Sequence, residues 1–532
     1  MPLEIQTTSG EVVGFEDEMS TVAWLGIPFA VPPVGPLRWR APQAPEPWTE
    51  PLEATTFSPV CAQFEERDED GDGESEYYII GDEDCLYLNV WRPSADPGTL
   101  LPVMMWIHGG GNVTGGTDGA LYEGAHLAAR ARVMLVTVQY RLNLFGYLYH
   151  EALATGDIAG DSGNYATLDL VRALEWIQDN ARAFGGDPNR VTIFGESAGG
   201  VNTWSLLVSP LADELFHRAI VESGCYATRS MSEARDHAEE LIEAMVVADG
   251  LSSEEEAGAF LDAQGLTWVR DYLYGKTTAE LMEPFASEGF PLSSFKPARD
   301  GVVVQSGAEQ DLISGDIAHV PLIIGANRDE QKLFYANLAG MTEVEYNTYM
   351  RLLFGDDVDA VEALYPRDTY DPATPYNQFT DILDMTFEPI CSEYLAWLVS
   401  PFQPTWLYHF RYDRLIPPYD YVFGAAHGFE LPFVFDRLDG ALYPPEYETE
   451  REALRDVVIG YWRCMAHTGR PNCDQEAPGV PTWPEVGQSD RSSFQRVILD
   501  DQVETEVLPD INVDRINFWL EYYETALPLV PY

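Results

Sequence analysis

The sequence has few basic residues, and lysine is almost absent. Lysine and arginine number 31, of which three are lysine, whereas aspartate and glutamate number 87, and the formal net charge is −56. Such a surface repels nucleic acid and anionic membranes, so we expect neither as a partner. An acid excess with scarce lysine is typical of proteins that work in concentrated salt, where self-repulsion is screened. The alternative is an ordinarily acidic soluble protein.

Long apolar runs are also missing. No segment approaches the ~18 uninterrupted apolar residues of a membrane-spanning helix. The start, Met1-Pro2-Leu3, has neither the basic nor the apolar part of a secretory leader. We therefore expect a soluble protein without membrane insertion, periplasmic or secreted if a leader has been removed and otherwise cytoplasmic.

Cysteine is scarce as well, with six in 532 residues and no CxxC pair. This excludes a disulfide scaffold and a cysteine-based metal or redox pair. Cys61 and Cys85 bracket one polar stretch, Cys464 and Cys473 bracket another, and either pair could close a short loop. Free buried thiols are the alternative, and the pairing of the other two cysteines is open. No metal-ligand spacing is visible, and we expect no cofactor.

What the sequence does contain is ample material for a core, with 45% hydrophobic and 12% aromatic residues. Short apolar runs, typical of strands buried on both faces, alternate with segments of helical period. This alternation predicts a single large α/β domain over 1–532, with a mostly parallel central sheet flanked by helices. The predicted strands are 102–108, 133–140, 190–194, 219–221, 321–325 and 406–410.

Helical patterning also fills 231–290 and 343–385, which we predict to be insertions that cap the sheet. A further helix is predicted from Leu168 to the glycine pair Gly185-Gly186. Residues 21–39, rich in Pro and Gly, are predicted to be irregular. The acidic run from Glu65 to Glu76 is predicted to be a solvated loop. The amphipathic stretch 511–523 would pack against its own domain or a second copy, so both monomer and homodimer are open.

The most informative motif is Gly-Glu-Ser-Ala-Gly at 195–199, where a predicted strand ends and a helical pattern begins. A strand-to-helix turn this tight needs small neighbours, which Gly195 and Gly199 provide. The turn would expose the Ser197 hydroxyl at the positive end of the following helix. We therefore predict that Ser197 is a nucleophile.

A second glycine motif, His-Gly-Gly-Gly at 108–111, directly follows another predicted strand. Acyl transfer places negative charge on a carbonyl oxygen, and preorganised backbone N–H groups can stabilise it. We assign this oxyanion-binding role to the N–H groups of Gly110, Gly111 and Ala198. His108 itself is predicted to be a structural hydrogen-bonding residue.

A serine nucleophile needs a base, and His427 lies among small residues in a loop after the last predicted strand. Such a loop overhangs the carboxyl edge of the sheet, where ligands bind. An acid that orients the histidine should end another strand, where Asp329 and Glu330 are adjacent. Their spacing does not choose between them.

Seven motifs accompany these residues along almost the whole chain. They are WLGIPFA (24–30), PPVGPLRW (32–39), EDCLYLNV (83–90), FGGDP (184–188), FGESAGG (194–200), NRDE (327–330) and HGFE (427–430). Together they resemble the type-B carboxylesterase and cholinesterase family of α/β-hydrolases, and its bacterial carboxylesterases rather than true cholinesterases.

The resemblance implies an α/β-hydrolase fold with Glu330, rather than Asp329, completing a Ser197–His427 triad. It also implies several supporting residues: Glu196 and Ser223 beside the triad, a Cys61–Cys85 disulfide and an Arg38–Glu83 ion pair.

Three departures from the family's sequence pattern reduce the range of substrates that we expect. The 61–85 segment has no tryptophan to stack on a quaternary ammonium, which disfavours choline esters. The acidic loop is unsuited to an oil surface, which disfavours lipase activity. Asn112 follows the glycine triplet where the family usually has an aromatic residue, and we expect it to make the pocket more polar.

These observations predict a serine carboxylesterase that hydrolyses small neutral esters, with short to medium acyl groups, through an acyl-enzyme. The pocket is expected to be lined from 268–295 and 379–387. One alternative is an amidase or carbamate hydrolase with the same triad. Another is a non-catalytic binding or adhesion protein that has kept these residues.

Overall fold

The computed structural model describes residues 3–68, 76–95, 98–251, 253–287, 289–292, 294–307, 309–438, 440–473, 480–487 and 494–526. They divide into two compact units. The first unit comprises Met1–His217 and Tyr226–Ala318, and the second comprises Arg218–Cys225 and His319–Pro531.

The described residues form sixteen strands. They are β1 Glu4–Gln6, β2 Glu11–Val13, β3 Phe15–Asp17, β4 Thr21–Pro28, β5 Leu52–Glu53, β6 Gln63–Arg67, β7 Glu76–Ile80, β8 Tyr87–Pro93, β9 Leu101–Ile107, β10 Met134–Val138, β11 Gly186–Glu196, β12 Arg218–Glu222, β13 Leu322–Asn327, β14 Thr405–Phe410, β15 Gln495–Leu499 and β16 Glu504–Val507.

Seventeen α-helices lie in the same described residues, together with a π-helical segment at Thr386–Tyr394. The helices are α1 Ala125–Ala131, α2 Asn143–Tyr147, α3 Tyr165–Asn180, α4 Ala198–Leu207, α5 Met231–Ala248, α6 Glu254–Asp262, α7 Leu266–Gly275, α8 Thr278–Met282, α9 Glu309–Ser314, α10 Glu343–Phe354, α11 Val358–Leu364, α12 Pro375–Leu383, α13 Leu395–Val399, α14 Tyr419–Val422, α15 Leu431–Val434, α16 Glu448–Thr468 and α17 Asp510–Ala526. Within the part of the chain that the structure describes, no helix combines the length and apolarity needed to cross a bilayer.

The main sheet of the first unit has the strand order β11-β9-β10-β8-β4-β3. Strand β9 pairs in parallel with β10 and β11, whereas β8, β4 and β3 pair antiparallel. All seven residues of β9 are buried, as expected for a strand covered on both faces. Because parallel strands end at the same edge, the chain segments that follow β9 and β11 emerge side by side.

The second unit contains the strand order β12-β13-β14-β15-β16. The first four strands pair in parallel and β16 pairs antiparallel with β15. The segments after β12, β13 and β14 therefore also emerge at one edge. All six strands predicted from the sequence are present, but β14 is not the last strand of the chain, because β15 and β16 follow it.

Two predictions about local structure are wrong. Residues 21–39 are not irregular throughout, because β4 occupies the first eight positions and its glycine, Gly26, has a φ of 69° beside a register shift between Trp24 and Ile27. Helix α3 ends at Asn180 rather than at the glycine pair. Gly185, with a φ of 85°, turns the chain so that Gly186 already pairs with β9.

The predicted acidic loop from Glu65 to Glu76 lies partly outside the described residues, because 69–75 are not among them. Its two arms, β6 and β7, form an antiparallel pair. At the C-terminal end of the chain, α17 buries Ile516 and Trp519, and Trp519 Nε1 donates to Tyr365 Oη at 2.8 Å. The stretch 511–523 therefore packs against its own chain.

All six cysteines are paired. The two short-loop pairs expected from the sequence are present, and the third disulfide joins the two cysteines whose pairing was open. The disulfides are Cys61–Cys85, Cys464–Cys473 and Cys225–Cys391. Free buried thiols are thus the wrong alternative.

A buried ion pair links three segments of the first unit. Arg38 donates two hydrogen bonds of 2.6 Å to Glu83, and their side chains are 9% and 6% exposed. Thr278 donates to the same carboxylate at 2.6 Å, and Arg38 also donates to the Lys276 carbonyl at 2.9 Å. The pair therefore fixes the residues that follow α7 against the 35–38 turn.

We expect Arg38→Met to lower the free energy of unfolding by about 3–5 kcal/mol, because it leaves the Glu83 carboxylate buried without its cation. Urea unfolding followed by tryptophan fluorescence measures the change. The double variant Arg38→Met/Glu83→Leu should recover most of the loss. Arg270→Ala, which removes an exposed pair with Asp271, is the control and should not move the midpoint. A single variant as stable as the double would contradict this prediction.

Candidate active site

Ser197 lies in the tight turn between β11 and α4. Its φ of 58° and ψ of −124° lie in a region that side chains rarely adopt, and the residue is only partly buried. A Cβ on Gly195 would lie 2.6 Å from Gly199 backbone atoms, and one on Gly199 would lie 2.0 Å from the Ile107 carbonyl oxygen. Glycine is therefore required on both sides of the serine, as the motif predicted.

The glycine loop after β9 runs against this turn. A Cβ on Gly109 would lie 3.0 Å from Ser197 Cβ. Gly110 and Gly111 follow with φ values of 104° and 64°. Ala198 is the first residue of α4, where backbone N–H groups have no acceptor within the helix. The glycine loop and the N-terminus of α4 thus lie beside one serine, and backbone N–H groups of such segments can stabilise a developing oxyanion.

His108 and Glu196 lie buried behind the loop and the turn. His108 Nδ1 donates to the Gly109 carbonyl at 2.8 Å, and its ring stacks on Tyr140 with centroids 4.5 Å apart. Burial lowers the pKa of His108 to about 4, which keeps the ring neutral. Glu196 is 4% exposed, and its Oε2 would lie 2.9 Å from a Cβ on Gly109. His108 is therefore a structural residue here.

In the second unit, Glu330 and His427 form a buried hydrogen-bonded pair between Glu330 Oε2 and His427 Nδ1. Glu330 is fully buried and His427 is 6% exposed. The other carboxylate oxygen, Oε1, accepts from Ser223 Oγ at 2.5 Å and from the Asn327 backbone N–H at 2.6 Å. The carboxylate thus has three donors, which fix its orientation and that of the imidazole.

Asp329, the other candidate acid, has different partners. It forms ion pairs with Arg328 at 2.6 Å and Lys332 at 3.0 Å, and accepts from the Ala425 backbone N–H at 2.9 Å. Burial alone would raise the pKa of Asp329, but the two cations hold it well below its ordinary value. The geometry therefore separates the two acids that spacing could not, and only Glu330 reaches the histidine.

Asn327 and Glu430 hold the histidine loop to the end of β13, and neither was given this role from the sequence. Asn327 Nδ2 donates to the Ala426 carbonyl at 2.7 Å and to Glu430 Oε2 at 2.5 Å. Asn327 belongs to the NRDE motif and Glu430 to the HGFE motif, and this membership was the only feature of the sequence that pointed to a role for them.

Two aromatic rings flank the histidine. The centroids of Phe334 and Phe387 lie 5.1 and 5.0 Å from that of His427. Phe387 falls in the segment 379–387 predicted to line the pocket, whereas Phe334 was missed. The sequence feature that could have identified Phe334 is its position, four residues after Glu330.

Comparison with known proteins places these features in one family. The sequence model of the "Carboxylesterase family" matches residues 2–519. The chain is 33% identical to para-nitrobenzyl esterase of Bacillus subtilis (strain 168) over 513 residues, which is 95% of this chain and 96% of that protein. It is 32% identical to cocaine esterase of Homo sapiens over 533 residues, covering 95% and 87% of the two chains.

A solved structure of PNB esterase superposes with a TM-score of 0.77 at 30% sequence identity, over 97% of this chain and all of that one. The chain therefore belongs to the carboxylesterase family, and it is a carboxylic-ester hydrolase with the α/β-hydrolase fold.

Proposed function

We propose that Ser197 is the nucleophile, His427 its general base and Glu330 the acid that orients the base. Ser197 Oγ attacks the ester carbonyl while His427 accepts its proton. The carbonyl oxygen becomes an oxyanion and is stabilised by the N–H groups of Gly110, Gly111 and Ala198. His427 then protonates the departing alcohol, leaving an acyl-Ser197. Water repeats the attack with the same base and releases the acid.

The observation that carries this proposal is the contact between Glu330 and His427 Nδ1. A carboxylate at Nδ1 holds the proton there and leaves Nε2 free of a proton, which is the tautomer that a base needs. It also stabilises the imidazolium that forms when the base accepts a proton. The strained Ser197 turn and the glycine loop against it support the other half of the mechanism.

Neutral esters with short to medium acyl groups are the proposed substrates. The net charge of −56 disfavours the approach of anionic esters and helps the carboxylate product to leave. Because His427 delivers a proton to the leaving alcohol, the rings that flank it border the alcohol side of the site. Phe334 and Phe387 therefore favour apolar alcohols over charged ones.

Three disulfides support location in an oxidising compartment, either the periplasm or the medium outside the cell.

The excess of acidic residues supports adaptation to concentrated salt, because the repulsion among 87 acidic residues weakens as the screening length shortens.

Ser197→Ala should lower kcat on neutral p-nitrophenyl esters by at least about 10⁴-fold, because no nucleophile remains. A panel of graded acyl lengths, assayed with both proteins, measures the loss and locates the preferred acyl group. Matched amides and carbamates should turn over more slowly than the esters. Labelling of the wild type, but not the variant, by a fluorophosphonate is the control. Equal turnover by the two proteins would contradict the assignment.

Glu330→Gln should lower kcat by about 10³- to 10⁴-fold, because an amide can stabilise the wrong tautomer and cannot stabilise the imidazolium. Asp329→Asn is the matched control, with an adjacent acid that contacts Arg328 and Lys332 instead of the histidine, and should lose less than about tenfold. Steady-state kinetics on one ester compares them. A larger loss in Asp329→Asn would reverse the assignment.

Salt should stabilise the protein strongly. Raising KCl from about 0.1 M to about 1 M shortens the screening length from ~10 to ~3 Å, so the melting temperature should rise steeply over this range. Differential scanning fluorimetry measures the shift. Sucrose is the control for general exclusion of a cosolute from the protein surface, and should raise the melting temperature less. A flat salt profile would show an ordinarily acidic protein.

A further inference from the structure

Asn112, which follows the glycine triplet, does not make the pocket more polar. It is 2% exposed, and its φ of 61° lies in the left-handed region that asparagine tolerates better than most residues. Its side-chain Nδ2 donates to the Phe295 carbonyl at 3.0 Å, and its Oδ1 accepts from Asn202 Nδ2 at 2.9 Å. Both ends of the amide are therefore bonded inside the protein.

Three hydrogen bonds and the backbone of α2 form a closed ring that includes Asn112, Asn143, Tyr147 and Asn202. The Asn112 backbone carbonyl accepts from the N–H of Asn143, the first residue of α2, at 2.7 Å. At the other end of α2, Tyr147 Oη donates to Asn202 Oδ1 at 3.0 Å. Asn202 then donates back to Asn112. Burial raises the pKa of Tyr147 well above its ordinary value, so its hydroxyl stays a donor.

The ring joins the two segments that carry the oxyanion donors. Gly110 and Gly111 immediately precede Asn112 in the loop. Asn202 lies four residues after Ala198, one turn along the same face of α4. All four members of the ring are at most 3% exposed, so water does not compete for their bonds. The ring therefore fixes the loop donors relative to the helix donor and Ser197.

We infer that Asn112 and Asn202 are positioning residues, whose hydrogen bond sets the geometry of the oxyanion site. The inference rests on the proposed function, because it assigns a role in stabilising the oxyanion that Ser197 attack would create. A loop that shifts by a fraction of an ångström still binds substrate but aligns poorly with the tetrahedral oxygen. Loss of the bond should therefore act on kcat more than on KM.

The test compares Asn202→Ala and Asn112→Gly, which delete the bond from either side, and glycine at 112 keeps the positive φ without strain. Each should lower kcat, per active site titrated with a fluorophosphonate, by about 10- to 100-fold, with KM changed less than about threefold. The Ki of a trifluoromethyl ketone, which forms a tetrahedral adduct, should rise by the factor by which kcat/KM falls. The double variant should lose less than the product of the two single losses, because each single variant already removes the bond between Asn112 and Asn202.

Asn164→Ala is the matched control. Asn164 is equally buried, and its side chain bonds the Ala298 N–H at 2.7 Å, the Ala298 carbonyl at 2.8 Å and the Asp300 carboxylate at 3.2 Å. It should lower the melting temperature while kcat per titrated site stays within about twofold of wild type. If Asn202→Ala and Asn112→Gly match this control in kcat and in the Ki of the ketone, the positioning role is wrong while the proposed function stands. A wild type without Ser197-dependent turnover would instead overturn the proposed function.

Discussion

A carboxylate removed from water must find donors for its oxygens, and the second unit is organised around this requirement at Glu330. Its donors come from Ser223 after β12, Asn327 at the end of β13 and His427 after β14. Three parallel strands must therefore end in register for one side chain to be satisfied. The histidine is fixed as a consequence of this requirement, since it is one of the three donors.

The first unit depends on a different constraint, which is the close approach of backbone segments at the Ser197 turn. Ser197 has a strained backbone because it is the single residue between the end of β11 and the start of α4. The turn is possible only because Gly195 and Gly199 leave room for the backbone beside them. Strain of this kind persists where surrounding structure overdetermines it, and here the buried β9 and the Asn112 ring provide that support.

The sequence predicted six of the strands, the tight turn at Ser197 and the glycine loop, because each depends on local spacing or on residue size. Spacing could not choose between Asp329 and Glu330, and only the family resemblance favoured Glu330, since adjacent side chains on one turn differ only in the partners that folding brings to them. The pairing of Cys225 with Cys391 was left open for the same reason, since the two cysteines are 166 positions apart. The prediction that Asn112 makes the pocket more polar was wrong. A polar side chain makes a pocket polar only if its polar atoms are not already bonded within the protein, and the partners of Asn112 are distant in sequence.

The chain enters the second unit at β12, leaves it after Cys225 and returns at His319. Cys225 stands at the exit, and its disulfide joins it to Cys391 within the π-helical segment. Any single backbone cleavage between these two cysteines would therefore leave both fragments covalently attached, with β12 still linked to the later strands of its sheet. A protease that nicks the long excursion could alter the protein's behaviour on a reducing gel without releasing the serine that supports Glu330.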